Sequence, residues 1–343
     1  MSTSNRYQFF SAVTLDQKTE EQITSFLADC QGFHYFQSPY FFRVSEVSKR
    51  LTPLYLIAKD EDEVCGVILL IRQVQSTLPI LSFLSSRLII WGGPVVKDNS
   101  PEILEGLLRY YLTHHPIAIY TQIRNLTDTE PYKNSFIRAG FQYEEHLNIL
   151  VNLIHSEEDL WKDVVTKRRN QIRRAEKEGC TVQQQVALPT LRTCYAILQE
   201  VYRRTKIPLP DFSHFESLWA LSNERAGLRI FTVSWEGQII GCMLCLAYGD
   251  WLFDYYAGAF SNYYKKFPND LLPWAVFKWA KQNGFTRFDF GGAGKPGVPY
   301  GVRDYKQQFG GELVGYGRYE RMHYPRLFRM IKKGYRIWQR YSE

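Results

Sequence analysis

The side chains best suited to chemistry lie in residues 284–311, a stretch with eight glycines together with Tyr, Lys and Arg side chains. The pattern predicts a strand at 285–290, then a glycine-rich loop, a short helix around 303–308 and a Gly310-Gly311 turn. Functional sites often lie on loops at strand ends, because the sheet holds such loops in place. The alternative interpretation is a long hairpin-like connection without a functional role.

Two motifs in this stretch resemble a known family. Asp289-Phe290-Gly291-Gly292 and Tyr305-Lys306-Gln307-Gln308-Phe309-Gly310-Gly311 are similar to the end of the second domain in Fem-type (FemABX) peptidyltransferases. Those enzymes belong to the GNAT acyltransferase superfamily. The resemblance covers most of the chain and is clearest in residues 148–320. Because residues 148–320 contain no long charged hairpin, the chain resembles the members that lack a coiled-coil arm.

The resemblance implies a reaction in which an amine attacks the aminoacyl ester of a tRNA. It implies that Lys306 stabilises the tetrahedral intermediate or the tRNA end, and that Tyr305 packs against the terminal adenosine. Tyr255 and Tyr256 are candidates to line the acceptor channel, with core packing as the alternative. Asp254, Asp289 and Asp304 are candidate proton acceptors. The further candidates for substrate binding are Arg303, Gly291, Gly292, Asp98 and Arg43.

A basic segment precedes this stretch in the chain. Residues 167–174 contain five cationic side chains and no acid, and such a density of like charge favours a phosphate-bearing partner. The expected contacts with tRNA phosphates come from Lys167, Arg168, Arg169 and Arg173. A solvated helix face with intrahelical Glu–Lys pairs is the alternative.

One departure from the family pattern affects the acceptor. Many Fem-type enzymes have an Arg followed four residues later by a Tyr, and both contact the nucleotide-linked muropeptide. The nearest positions in this chain are Asp211 and Phe215, which puts the usual peptidoglycan precursor in doubt. Arg203, Arg204 and Lys206 are the cations that could take over this contact.

Composition limits the class of protein. The 343 residues are 45% hydrophobic and 15% aromatic, with a net charge of +7, so a large core and two domains are expected. The six cysteines do not form a metal-binding pattern, and we expect no metal site. No apolar run approaches about 18 residues and no secretory signal is visible, so a reduced, cytoplasmic protein is expected.

The element pattern predicts an α/β (α+β) fold with two tandem GNAT-like domains, each a mixed, largely antiparallel sheet flanked by helices. The predicted domains are 1–147 and 148–320, followed by a basic helix in 321–343. Within them the pattern predicts one helix over 156–178, a strand at 313–319 and the last helix at 325–341. That helix is expected to pack on the first domain, and contact with the inner membrane surface is the alternative.

Three functions fit these observations. The first is a Fem-type N-acyltransferase that moves an aminoacyl group from aminoacyl-tRNA to a nucleotide- or lipid-linked muropeptide during cell-wall synthesis. The second is an acyl-CoA-dependent GNAT enzyme acting on an amino sugar or another small amine. Residues 256–270 lack the phosphate-binding pattern of that class, which counts against CoA. The third is a non-catalytic module that binds RNA or a membrane surface. No permanently bound cofactor is expected.

Overall fold

The computed structural model describes residues 6–30, 33–115, 118–224 and 226–330. The chain forms two compact units, Met1–Glu145 with Tyr316–Glu343, and His146–Gly315. The predicted boundary at 147 is close to the first change of unit. The second change comes five residues before the predicted 320, because the strand Arg318–Met322 pairs within the sheet of the first unit.

Both units contain helices and strands. In chain order, the helices are α1 (Gln17–Asp29), α2 (Pro39–Val47), α3 (Pro79–Leu84), α4 (Pro101–His114), α5 (Lys133–Arg138), α6 (Glu157–Asp163), α7 (Thr166–Lys177), α8 (Leu188–Thr205), α9 (Phe212–Ala220), α10 (Pro268–Gln282) and α11 (Gly301–Lys306). The strands are β1 (Tyr7–Ala12), β2 (Leu51–Asp60), β3 (Glu63–Gln73), β4 (Arg87–Trp91), β5 (Val95–Val96), β6 (Tyr120–Arg124), β7 (Gln142–Glu144), β8 (Asn148–Asn152), β9 (Thr181–Gln185), β10 (Ala226–Trp235), β11 (Gln238–Tyr248), β12 (Trp251–Ala259), β13 (Arg287–Gly292), β14 (Glu312–Val314) and β15 (Arg318–Met322).

The first unit is built on a sheet with the strand order β1-β2-β3-β4-β6-β15-β7, and β5 pairs with β3. Its pairs are antiparallel except β4–β6. Helix α4 begins at Pro101, whose missing N–H costs nothing at this position, after the cap residue Ser100. Its apolar stripe, which includes Leu104, Leu107 and Tyr111, is fully buried and belongs to the core of the unit.

The second unit is built on a sheet with the order β14-β8-β13-β12-β11-β10-β9. Only β12 and β13 run parallel, and their pairing covers Trp251 to Phe253 opposite Arg287 to Asp289. Beyond Phe253 the register of β12 also shifts against β11, at a bulge. The parallel pairing therefore ends within the sheet, and this end is where the candidate site lies.

The predicted helix over 156–178 is wrong in one respect, because the structure divides it into α6 and α7. Val164 and Val165 are extended between the two helices, with ψ angles of 124° and 147°. The Val164 side chain is fully buried, and the Val165 N–H donates to the Gln308 carbonyl at 3.0 Å. The local sequence would allow a helical turn here. The burial of Val164 and the long-range hydrogen bond of Val165 favour the extended backbone instead.

The predicted strand at 313–319 is also divided. Residues 312–314 pair with β8 in the second unit, and residues 318–322 pair with β6 and β7 in the first. Between the two strands, Gly317 has a φ of 68°, a left-handed backbone conformation that glycine adopts readily. Residues 325–330 are helical, and the rest of the predicted C-terminal helix lies outside the described residues. The predicted class, two mixed and mostly antiparallel sheets flanked by helices, is confirmed.

Candidate active site

The glycine-rich loop begins where β13 leaves the sheet. Asp289 is fully buried there, and its Oδ1 accepts a hydrogen bond from the Gly291 N–H at 2.6 Å. Gly291 has a φ of 71°, and a Cβ atom at this position would lie 3.1 Å from the Phe253 ring. Glycine at 291 therefore allows the backbone to turn tightly beside the Asp289 carboxylate. Gly292 is half-buried and pairs with Asn148.

Lys306 lies at the end of the parallel pairing. It is the last residue of α11, and its Nζ donates a hydrogen bond to the Phe290 carbonyl of β13. The same Nζ is 3.8 Å from Oδ2 of Asp254 on β12. The two side chains are only 14% and 9% exposed. One ammonium group thus joins the two strands just beyond the point where their own hydrogen bonding stops.

Two buried carboxyls share this ammonium group. Burial raises the pKa of Asp254, and the positive charge of Lys306 opposes that rise. Burial also raises the pKa of Asp289 to about 7, against the opposing effects of the Gly291 N–H and Lys306. Oδ2 of Asp289 has no hydrogen-bond partner among the described residues. A single cation does not compensate two buried carboxylates, so this cluster binds a proton more readily than exposed carboxylates do.

Arg303 holds the glycine-rich loop in place. Its guanidinium donates to the carbonyls of Lys295 at 2.7 Å, Val298 at 2.6 Å and Ala293 at 3.4 Å. These bonds engage most of the N–H donors of the guanidinium with carbonyls of the protein itself. Arg303 was predicted as a substrate-binding residue, and the structure places it under the loop as a support.

Tyr305 supports the same helix from inside. Its hydroxyl donates to the Asn269 carbonyl at 2.5 Å, and its ring lies edge-on to Phe309 at 5.2 Å. The guanidinium of Arg168 lies over that ring at 5.0 Å. Burial raises the pKa of the Tyr305 hydroxyl above its ordinary value. The ring and hydroxyl are therefore engaged in packing, which differs from the predicted stacking on an adenosine.

The predicted tRNA-binding cations of α7 fall into two groups. Arg168 is 15% exposed and forms an ion pair with the buried Asp270, and its Nε donates to Gln308 at 3.0 Å. Arg169 donates to the carbonyls of Trp161 and Lys162 at the end of α6, and so caps that helix. The exposed cations in the predicted set are Lys167 and Arg173.

An aromatic wall leads from the lysine to a cavity. The rings of Tyr202 and Tyr256 are 5.4 Å apart, and Phe215 lies edge-on to Tyr256 at 5.1 Å. Burial, followed by the nearby Tyr256 and Asp254, raises the pKa of Tyr202. Tyr202 also lines a cavity of about 840 Å³, together with Tyr195, Arg203, Lys206 and Phe260. Tyr256, two residues after Asp254 on β12, thus contacts a residue that lines a cavity large enough for a substrate.

Sequence reasoning missed Tyr202, although it directly precedes Arg203 in the last turn of α8. The two positions that departed from the family pattern have structural roles in this chain. Asp211 caps α9 by accepting from the Ser213 N–H at 3.0 Å, and Phe215 is fully buried. His214 is buried as well, with its Nε2 2.7 Å from the Tyr255 hydroxyl, and burial lowers its pKa to about 4.

The two remaining predicted substrate-binding residues belong to the first unit. Arg43 forms ion pairs with Glu20 at 2.7 Å and Glu46 at 3.3 Å, and donates to the Leu15 carbonyl at 2.9 Å. Asp98 is exposed in a short 3-10 turn at a φ of 52°. The structure therefore brings together Asp254, Tyr256, Gly291 and Lys306 in the second unit.

Metal sites and membrane-spanning helices are both absent from the described part of the chain. No group of three or more His, Cys, Asp or Glu side chains in 6–30, 33–115, 118–224 and 226–330 is placed to hold a metal ion. Within the same ranges, no helix combines the length and the apolar character needed to cross a membrane.

One protein family matches part of the second unit. Residues 166–307 match the Acetyltransferase (GNAT) domain family, and this segment contains Asp254, Asp289 and Lys306. No curated protein sequence matches the chain significantly.

Three solved structures show the fold. FemX matches at a TM-score of 0.72 and 15% identity, over 94% of this chain and 99% of FemX. L-PGS from Bacillus licheniformis matches at a TM-score of 0.58 and 16% identity, over 88% of this chain and 92% of L-PGS. A tandem GNAT protein from the clavulanic acid biosynthesis pathway matches at a TM-score of 0.57 and 8% identity, over 92% of this chain and 98% of that protein. This chain therefore has the fold of FemX, and its residues 166–307 match the Acetyltransferase (GNAT) domain family.

Proposed function

We propose that this protein is an aminoacyltransferase that moves an aminoacyl group from aminoacyl-tRNA to an amine of a peptidoglycan precursor peptide. The proposal rests on the position of Lys306, a buried ammonium group at the end of the β12–β13 pairing. The fold shared with FemX supports the same choice of reaction. Because an aminoacyl ester is already activated, positioning and charge stabilisation can provide most of the rate.

In the proposed reaction the acceptor amine attacks the ester carbonyl. A C–N bond forms and the C–O bond to the terminal ribose breaks. In the net reaction, one proton moves from the amine to the departing ribose oxygen. Lys306 stabilises the oxyanion of the tetrahedral intermediate. Asp254 accepts the amine proton, because it is a buried carboxylate beside Lys306 and near Tyr202 and Tyr256.

The start of α10 supports tRNA over CoA as the donor. GNAT enzymes that use CoA hold its pyrophosphate on free N–H groups at a strand-to-helix turn. In this chain Pro268 has no N–H, and the N–H groups of Asp270 and Leu271 both donate to the Phe267 carbonyl at 3.1 Å. The buried Asp270 carboxylate also occupies this turn, paired with Arg168. A pyrophosphate bound at this turn would lie near the negative charge of Asp270, which opposes its binding.

The acceptor and the tRNA are assigned to separate surfaces. We place the acceptor in the cavity beside Tyr202, where Arg203 and Lys206 provide positive charge for the phosphates of a nucleotide- or lipid-linked muropeptide. We place the tRNA backbone at the exposed cations Lys167 and Arg173 of α7. A cytoplasmic enzyme, at the inner membrane face when the acceptor is lipid-linked, fits both substrates.

A transfer assay tests the proposal. Purified protein is mixed with total tRNA charged with labelled amino acids and with a nucleotide-linked muropeptide, and label in the peptide is measured. We expect transfer by the wild type and a loss of about 100-fold or more in Lys306→Ala. The matched control is Lys295→Ala, an exposed lysine of the same loop. Unchanged transfer by Lys306→Ala would remove the lysine from the mechanism.

An acyl-CoA-dependent enzyme acting on an amino sugar or another small amine is the second candidate. It is favoured by the match of residues 166–307 to an acetyltransferase domain family. The occupied start of α10 is the observation against it. Acetylation of an amine from acetyl-CoA, with no transfer from any aminoacyl-tRNA, would establish this candidate in place of the first.

A further inference from the structure

A short apolar helix of the first unit has no core to pack against. Helix α3 has no buried residue. Ile80 is 76% exposed, Leu78 before the helix is 63% exposed, and Leu81 is 50% exposed. Single exposed apolar residues are common, but three large ones within four positions are a feature of interaction surfaces.

A basic segment lies at the same end of the sheet. Arg87 of β4, Tyr120 of β6 and Met322 of β15 are aligned across three neighbouring strands. Helix α3 ends just before β4, and residues 323–330 directly follow β15. The two segments are in contact, because the rings of Phe83 and Tyr324 meet edge-on at 5.4 Å.

The charged side chains of these two segments, 78–84 and 323–330, are all positive. Arg326 and Arg329 are exposed, and Met330 beside them is 69% exposed. No acidic residue occurs from residue 64 to residue 97, or from residue 321 to residue 342. Apolar side chains flanked by cations, with no acid nearby in the sequence, match the interface of an anionic bilayer, which offers both an apolar interior and negative headgroups.

We propose that this surface, formed by Leu78, Ile80, Leu81, Tyr324, Arg326, Arg329 and Met330, docks the protein on an anionic phospholipid bilayer. The three aliphatic side chains enter the headgroup region, and the two arginines contact lipid phosphates. The inference rests on the proposed function in one respect: docking would bring the enzyme to a lipid-linked acceptor. Its test needs neither donor nor acceptor, so the two proposals can fail separately.

Two other occupants fit the charges less well. A second copy of the chain would bring the same cations to the same surface, and like charges oppose that pairing. Residues 331–343 of this chain add Lys332, Lys333, Arg336 and Arg340 against a single acid, Glu343. They therefore increase the positive charge of the segment, and an anionic bilayer becomes a better partner with them.

Vesicle sedimentation tests the surface. The full-length protein is mixed with vesicles of phosphatidylcholine plus phosphatidylglycerol and, separately, of phosphatidylcholine alone, at low and high salt. We expect binding to the anionic vesicles that weakens at high salt. Ile80→Ser/Leu81→Ser should weaken it at least about tenfold. Arg326→Gln and Arg329→Gln should each weaken it about fivefold at low salt.

The controls are exposed residues of the same types elsewhere. Ile154→Ser/Val186→Ser removes two aliphatic side chains that are 70% and 76% exposed, and Lys18→Gln/Lys177→Gln removes two exposed cations. Both should bind like the wild type. The proposal is overturned if the wild type does not sediment with anionic vesicles, or if Ile80→Ser/Leu81→Ser binds them equally well. It is also overturned if that variant mainly lowers the melting temperature, because the surface is then covered within the protein.

Discussion

At the scale of single residues, the proposed chemistry depends on one lysine beside two buried carboxyls. Lys306 is fixed by the Phe290 carbonyl and by Asp254, and Asp289 lies fully buried beside them. An ammonium group with so little exposure cannot be screened well by water, so its field at a nearby reacting carbonyl is strong. The same burial makes the carboxyls sensitive to pH.

Asp289→Asn should change how stability depends on pH. In the wild type the pKa of this carboxyl is near 3.8 in the unfolded chain and about 7 in the folded protein. The free energy of unfolding should therefore fall as pH rises from about 4 to about 7, by a few kcal/mol at most. Asparagine keeps an acceptor for the Gly291 N–H and does not ionise.

Urea unfolding at about pH 5 and about pH 8 measures this effect. The variant should gain stability relative to the wild type at the higher pH, and Asp304→Asn, at an exposed position of α11, should show no such gain. Equal pH dependence in wild type and Asp289→Asn would mean that Asp289 does not retain its proton in the folded protein.

At the scale of elements, the break between α6 and α7 decides which cations face inward. Because α7 starts anew at Thr166, Arg168 is directed to Asp270 and Arg169 to the end of α6. Arg173 remains exposed, with its guanidinium 5.4 Å from the Trp161 ring. A run of basic residues in sequence thus becomes one structural ion pair, one cap and a few exposed charges.

Arg168→Ala and Arg173→Ala should therefore behave differently. Loss of Arg168 leaves the buried Asp270 without its cation, and should lower the free energy of unfolding by about 3–5 kcal/mol. Arg173→Ala should change it by less than about 0.5 kcal/mol. It should also reduce the salt dependence of tRNA binding by about one phosphate contact. Urea unfolding and a salt series of tRNA binding separate these outcomes, and equal stability of the two variants would contradict the assignment.

The turn that follows α11 should tolerate only glycine at one position. Gly310 has a φ of 85° and a ψ of −165°, and a Cβ atom there would lie 2.8 Å from Cβ of Asp163. Gly310→Ala should destabilise the protein by about 1–3 kcal/mol. The matched control is Gly301→Ala in α11, where nothing lies within 4 Å of the added Cβ, and thermal unfolding should show little change or a small gain. Equal melting temperatures would disprove the strain at Gly310.

At the scale of the whole chain, the sequence predicted the fold class and pointed to Lys306 through the motif around it. It could not predict that Lys306 lies beside Asp254, because this depends on the β12–β13 register and on where that pairing ends. It could not predict that Arg168 is internal, because Val164 and Val165 interrupt the helix through tertiary contacts. Nor could it separate β14 from β15, since only long-range pairing assigns them to different sheets.

The fold alone does not identify the donor, because one fold can serve several chemistries. The three solved structures compared above share no more than 16% identity with the chain. The residues at the start of α10 are more informative, since Pro268 has no N–H and the Asp270 carboxylate is paired with Arg168 there. The choice of tRNA over CoA is therefore the central claim, and it can be measured directly.

Calorimetric titration of the purified protein with a non-hydrolysable analogue of the aminoacyl-tRNA end, and separately with CoA and acetyl-CoA, tests that claim. At two salt concentrations, we expect the tRNA analogue to bind more weakly at the higher salt and more weakly still to Lys306→Ala. CoA and acetyl-CoA should give no binding heat. Binding of CoA with no response to the tRNA analogue would contradict the account and make the protein an acyl-CoA-dependent enzyme.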